Sequence, residues 1–202
     1  MKLIQDLLFP CSFDTIRCGC GHFEATTDKK KEFAQVVPTN KNMDLCESVT
    51  SYYSSQNWQP FSGFLDASCN KHKEELCDEE LLKNPKISFT DDQKLVLIRP
   101  VLNGVAEGEE TQLNTFQHQP SKVAEKKMKG IGSTAIISGR PHQCVGCITV
   151  DDEGTHSVFI KRLGFWCKIT NNDEPVLKYY TEEPIDGVIY LFLWDKFVPH
   201  YV

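Results

Sequence analysis

Apolar positions along this chain fall mostly at the two-residue period of half-buried strands, and helical spacing is confined to its first half. Leu3 and Ile4 with Leu7 and Leu8 suit a short helix or helical turn at the start. The alternation in SFDTIRC, ending at Cys18, predicts a strand that runs into a turn from Cys18 to His22. Met43, Cys46, Val49 and Tyr53 recur at intervals of three and four, with Asp44 and Glu47 in the first turn, so 42–57 is predicted as a helix. The window KLVLIRPVL at 94–102 is the most apolar in the middle of the chain and reads as a buried strand that Pro100 interrupts or places at a sheet edge. Residues 104–133 are rich in Gly, Glu, Gln and Lys without apolar periodicity, which predicts a mobile loop or insertion. From 134 onward TAIISG, QCVGCITV, HSVFIKR, FWCKIT and GVIYLFLW follow closely, the pattern of an antiparallel sheet.

At 202 residues with 40% of them apolar, the chain is long enough to bury a core without covalent staples. Its net charge of −6 argues against nucleic acid as a partner, since binding a phosphate backbone needs a positive surface. No segment approaches the roughly 20 apolar residues that span a bilayer, and the first residues, MKLIQDLLFP, lack the unbroken apolar stretch of a secretory signal. The expected location is therefore the cytoplasm or nucleus, with no membrane association. Nine cysteines, an odd number, then fit thiols and metal ligation better than a disulfide framework.

Three clusters could carry chemistry. RCGCGH offers Cys18, Cys20 and His22, and about fifty residues later SCNKHKEELC offers Cys69, His72 and Cys77. Two such turns can supply the four soft or borderline ligands of a structural zinc, although Cys-x-Cys is tighter than the usual Cys-x-x-Cys. HQCVGC brings His142, Cys144 and Cys147 together, but its apolar flanks favour buried strand residues over ligands. In GTHSVFIKR, His156 follows a Gly-Thr turn and opens an alternating strand.

Taken together, the two ends of the chain resemble the ubiquitin-specific protease family of cysteine deubiquitinases. IQDLLFPCSFDTIRCGCGH is similar to that family's Ile-x-x-Leu-Phe, strand, then Cys-x-x-Cys-Gly-His; KEFAQVV resembles its next element, and KLVLIRPV its apolar strand before His-Leu-Lys-Arg-Phe. The C-terminal stretch CVGCITVDDEGTHSVFIKRLGFWCKITNNDEPVLKYYTEEPIDGVIYLFLW resembles the family's Gly-His, alternating strand, Gly-x-Trp, Asp/Asn-Asp and closing apolar strand. The likeness covers nearly the whole chain in degenerate form.

The resemblance implies an α+β, papain-like fold: a mainly antiparallel palm sheet plus zinc-finger-like fingers, with the N-terminal thumb missing. Residues 1–100 would hold the fingers and first palm strands, 104–133 the insertion, and 134–202 the C-terminal palm sheet. It places His156 on the catalytic histidine and Trp166 on the family's tryptophan. Thr170 falls where the family has Asp or Asn; Asn171 beside it is the candidate to orient His156, with Asn172 and Asp173 further on. Cys18, Cys20, Cys69 and His72 would hold a structural zinc, with His22 or Cys77 as substitutes. The nucleophile box, Asn-x-Cys-Tyr, does not occur in these 202 residues, and Cys11 in FPCSFD lacks its neighbours. The expected function is therefore a ubiquitin-binding or regulatory pseudo-enzyme acting on ubiquitin or a ubiquitinated protein. The alternatives are the C-terminal part of an active deubiquitinase, or a zinc-stabilised interaction module unrelated to ubiquitin.

Overall fold

The structure, a computed structural model, describes residues 10–19, 24–40, 42–62, 80–90, 93–102, 130–132, 134–151, 153–163, 165–169, 177–180 and 187–195. In chain order the elements are β1 (Cys11–Cys18), β2 (Glu24–Thr26), β3 (Lys30–Lys31), β4 (Gln35–Thr39), α1 (Leu45–Tyr52), β5 (Gln59–Pro60), β6 (Leu81–Ser88) and β7 (Leu95–Leu102). They continue as β8 (Thr134–Ile137), β9 (Arg140–Val150), β10 (His156–Arg162), β11 (Phe165–Ile169), β12 (Leu177–Tyr180) and β13 (Val188–Asp195). A smaller sheet runs β2-β1-β6-β5 with β3 on β1; a larger one runs β12-β11-β10-β9-β13-β7-β4 with β8 on β9. Pairing is antiparallel except between β4 and β7, which run parallel. The predicted C-terminal sheet thus recruits strands from the first half, and β12 joins it without having been read from the sequence.

Pro100 is accommodated as an edge position rather than as a break. β13 pairs with β7 only as far as Ile98, whereas β4 pairs from Ile98 to Leu102. The missing N–H of Pro100 therefore falls where β7 has lost its antiparallel neighbour and needs no donor on that side.

The helix is shorter than predicted, Leu45–Tyr52 instead of 42–57. Its start is fixed by a capping box: Asp44 Oδ1 accepts from Glu47 N at 2.7 Å, and Glu47 Oε2 accepts from Asp44 N at 3.1 Å. Leu45 N and Cys46 N, the other two N–H groups without intrahelical acceptors, donate to the carbonyls of Gly130 and Ile131 at 3.0 and 2.9 Å. The end of the stretch read as a mobile loop is thus docked: Ile131 is buried, and Gly132 (φ 79°) lies so close to Asp44 that a Cβ would come within 2.5 Å of its Oδ1. The helix stops at Tyr53 because the polar SSQN that follows offers no further core contact and turns instead, with Asn57 Nδ2 donating to Tyr52 O at 2.6 Å.

Leu45, Cys46, Val49 and Tyr53 pack on one face of the larger sheet, against Val37, Val96, Ile98, Cys144, Cys147, Phe159, Trp166, Leu191 and Leu193. Each large side chain so buried contributes roughly 1.5–3 kcal/mol, so this face is the main source of stability. The two sheets are joined at the β8–β9 turn. Ser138 and Gly139 both have positive φ, 49° and 79°, as a two-residue hairpin turn requires. Ser138 Oγ donates to Ile87 O at 3.0 Å and accepts from Ile87 N at 3.3 Å, replacing a strand neighbour for β6. Among the described residues, no helix is long and apolar enough to cross a membrane.

Candidate functional site

His156 is the first residue of β10 and is exposed. The turn that delivers it is organised by one carboxylate: Asp151 Oδ1 accepts from Thr155 N at 2.7 Å and from Glu153 N at 3.1 Å. Gly154, at φ 80°, then lets the chain reverse, with its N–H on Asp151 O at 3.0 Å. His156 pairs across the ladder with Val150, and Val150 N donates to Gly187 O at 2.8 Å. Gly187 (φ 67°) sits against the Val150 carbonyl with no room for a Cβ, so the backbone around His156 is held from both sides. Asp151 and Gly187 were not read from the sequence as site residues; the signal was the Asp-x-x-Gly-Thr spacing, which is that of an Asx turn.

What surrounds His156 supplies no nucleophile among the described residues. The nearest thiol along the β9–β10 ladder is Cys147, paired with Phe159 three residues up the strand, about 10 Å away, and it is buried. Cys18, Cys46, Cys144 and Cys167 are likewise buried thiols, and Cys11 is half-buried on β1 in the other sheet. Asn171 lies outside the described residues.

His142, Cys144 and Cys147 are core residues. In a regular strand Cys147 would face away from His142 and Cys144, but the register of β9 on β13 slips between Phe192, opposite Gly146, and Leu193, opposite Cys144, leaving Val145 as the extra residue. The slip returns Cys144 and Cys147 to the same buried face. His142 Nδ1 donates to Arg140 O at 3.0 Å, its ring lies 5.1 Å from that of Phe89, and Nε2 has no hydrogen-bond partner among the described residues. Burial lowers the His142 pKa, against the opposing pull of the Arg140 carbonyl and of Asp195. This histidine is about 25 Å along β9 from the His156 end and belongs to no common site with it.

Of the proposed zinc ligands only Cys18 is described; Cys20, Cys69 and His72, and the substitutes His22 and Cys77, lie outside the described residues. Cys18 is buried at the end of β1, opposite Leu81 at the start of β6, and Gly19 N donates to Glu80 O at 3.2 Å. The segment after β1 and the segment before β6 therefore leave the sheet side by side. Among the described residues, no group of three or more His, Cys, Asp or Glu is placed to hold a metal ion.

A polar groove of about 280 Å³ runs between the end of β4, α1 and β5, lined by Asn40, Ser48, Ser51, Tyr52, Asn57 and Gln59 among others. Its only titratable lining group is Tyr52, raised above its ordinary value by burial and then by Asp14 and Glu32, so it offers no acid–base couple near neutrality.

No family model and no curated protein sequence matches the chain. Solved structures do. A SAGA DUB module of Ubp8, Sgf11, Sus1 and Sgf73 bound to ubiquitin aldehyde aligns with TM-score 0.60 and 17% identity over 96% of this chain and 43% of that one. The module bound to monoubiquitin aligns with TM-score 0.59 and 14% identity over 96% and 42%, and a yeast SAGA DUB module with 0.57 and 13% over 95% and 41%. The chain has a ubiquitin-specific-protease-like fold. At these identities the likeness is one of fold, and the chain spans about two-fifths of the length of the chains it matches. The aligned region takes in 96% of this chain.

Proposed function

We propose that this chain is a ubiquitin-binding, regulatory pseudo-enzyme built on the ubiquitin-specific-protease fold. The observation that carries the reading is the fold likeness to DUB modules solved with ubiquitin bound, over 96% of the chain. We read the larger sheet as the palm and the smaller as the fingers. The net charge of −6 would favour encounter with a basic face of ubiquitin more than it would add affinity. The chain would work in the cytoplasm or nucleus.

In a thiol hydrolase a thiolate attacks the isopeptide carbonyl, an imidazole takes and returns the proton, and an Asp or Asn fixes the imidazole tautomer. His156 would be the proton acceptor here. Asn171, which the resemblance sets beside the position where the family has Asp or Asn, would be its orienting partner. No Asn-x-Cys-Tyr box occurs in the 202 residues, so within them the couple would lack the family's nucleophile. Losing the nucleophile of such a unit lowers the rate by on the order of 10⁶, leaving binding.

A structural zinc on Cys18, Cys20, Cys69 and His72 is part of the reading. The donor set suits the ion, and the adjacent ends of β1 and β6 launch the two segments that carry it. When bound, zinc would tie those two segments by thiolate and imidazole ligation, adding to the stability of the fingers rather than to catalysis.

The test is a titration of isotope-labelled ubiquitin with the purified chain, beside an activity-based ubiquitin probe that captures reactive thiols. Localised shifts on ubiquitin without capture are expected. Capture abolished by replacing one cysteine would refute the pseudo-enzyme, and absence of shifts would refute ubiquitin binding. A second reading, the C-terminal part of an active deubiquitinase, is favoured by the 41–43% coverage of the matched chains. It predicts hydrolysis of a fluorogenic ubiquitin substrate once a segment with the nucleophile box is joined to this chain.

A further inference from the structure

The face of the larger sheet turned away from α1 is apolar, and its ionisable groups carry one sign. Side chains alternate along a strand, so the neighbours of the core residues Val37, Ile137, Phe159, Trp166 and Leu193 project from the opposite face. Those neighbours are Val36, Ile136, Val158, Phe165 and Trp194, and they are 36% to 52% exposed. Most of the large apolar side chains that the described residues leave in solvent thus lie on one sheet face. The cross-strand pairs Trp194 with Leu95 and Val158 with Ile148 spread this apolar character across adjacent strands.

The β10–β11 turn adds a second observation. Leu163 occupies the left-handed region at φ 50° and is 90% exposed, in a turn position where Asn or Gly is the unstrained choice. Its side chain is held out beside Phe165 at a conformational cost and buries almost nothing within the fold.

Among the described residues, the ionisable side chains on this face apart from Tyr190 are Arg99, beside Ile98, and Arg162 and His156, in phase with Val158. All are nitrogen bases, and no strand carboxylate projects with them. In a chain of net charge −6 this is a local inversion of sign. A second copy of the chain pairing through this face would bring bases towards bases, which disfavours a symmetric dimer. An apolar surface of this extent marks an interaction site rather than a solvated wall.

We propose that the outer face of the larger sheet, with the Leu163 turn, docks a different protein whose contact surface is apolar and acidic. The surface carries the opposite charge to the acidic exterior invoked for ubiquitin and meets the site described above only at its His156 edge.

The test uses the full chain and two synthetic amphipathic helical peptides of about 20 residues, each with a leucine face. One flanks the leucines with glutamates, the other with lysines. The glutamate peptide is expected to bind in the micromolar range and to shift the tryptophan emission to the blue, a change lost in Trp194→Phe. Trp194→Asp and Val158→Asp should each weaken binding about tenfold or more. Arg99→Glu with Arg162→Glu should reverse the preference towards the lysine peptide, with the unfolding midpoint of the variant checked against the wild type. Equal binding of both peptides, binding of neither, or a dimer that Trp194→Asp dissolves would overturn the proposal. Displacement of the glutamate peptide by ubiquitin would overturn the separation of the two surfaces, whereas failure of ubiquitin to bind at all would sink only the function proposed above.

Discussion

His142 should make the folded chain lose stability in mild acid, by an amount its burial fixes in sign. The ring is fully buried between β8 and β13, opposite Ala135 and Asp195. Because Nδ1 lies 3.0 Å from a carbonyl it must carry the proton, so the neutral ring presents a bare Nε2 to the interior. Protonating Nε2 would bury a cation. Desolvation opposes that, as does the charge of the Arg140 guanidinium, while the Arg140 carbonyl and Asp195 favour it; the net direction is a lowered pKa. Asp195 is already committed to Arg140 at 3.6 Å and Lys94 at 4.0 Å, which limits how far it can compensate. A histidine whose folded pKa lies below its unfolded value near 6.5 takes up its proton first in the unfolded state. Stability is then complete above about pH 6.5 and falls as the pH drops towards the folded value, with a slope of at most about 1.4 kcal/mol per pH unit. At about pH 5.5 the loss from this one group is at most about 1.4 kcal/mol, set against a typical total of about 5–15 kcal/mol. Urea unfolding of the wild type and of His142→Leu across this range isolates it, since every other ionisable group is common to both. The variant's stability should vary less with pH between about 7.5 and 5.5. Parallel curves would refute the assignment, whatever their vertical offset.

The remaining predictions concern single contacts. Ser138→Ala should lower unfolding stability by about 1–3 kcal/mol, read from the urea midpoint, because it strips two hydrogen bonds from Ile87 and unlatches β6 from the larger sheet. Asp44→Ala removes the capping box and should cost about 0.5–2 kcal/mol, whereas Asp44→Asn should recover most of it. Gly187→Val must move either β13 or Val150, since a Cβ there meets the Val150 carbonyl; it should destabilise by about 2 kcal/mol or more and shift the imidazole resonances of His156. Stability unchanged to within about 0.5 kcal/mol would show that this glycine is not what holds the His156 turn. If zinc ties the fingers, chelation should lower the melting temperature of the wild type and leave Cys18→Ser unaffected.

How much of this was legible in the sequence depends on the range of the forces involved. The strands from 134 onward were readable because each has one face on the core, and the two-residue period records that directly. The helix was found by its spacing but overrun at its end, because termination depends on where tertiary contact stops. The docking of Gly130 to Gly132 was invisible, since a carbonyl that caps a helix some eighty-five residues earlier in the chain leaves no mark on local composition. β12, the short LKYY, went unread because a strand of that length at a sheet edge carries too few alternations to stand out.

The site divides along the same line. His156 was named through resemblance, and its isolation from any described thiol follows from ladder register, which pairs it with Val150. Cys144 and Cys147 show what register can do: three residues apart, they share a face only because Val145 is looped out of the pairing with β13. A strict two-residue reading puts one of them on the outside, where it would look like an exposed ligand or nucleophile. The same parity, counted correctly through the slip, sends Trp194 and Val158 outward together while Cys144, Cys147, Leu193 and Phe159 stay in the core. An outward row of that kind is indistinguishable in sequence from a strand buried on both faces where, as in VIYLFLWD, the strand is apolar on either count. Only the position of α1, packed on one side of the larger sheet, separates core from contact surface. The docking surface proposed above thus lies on the sheet face that α1 does not cover.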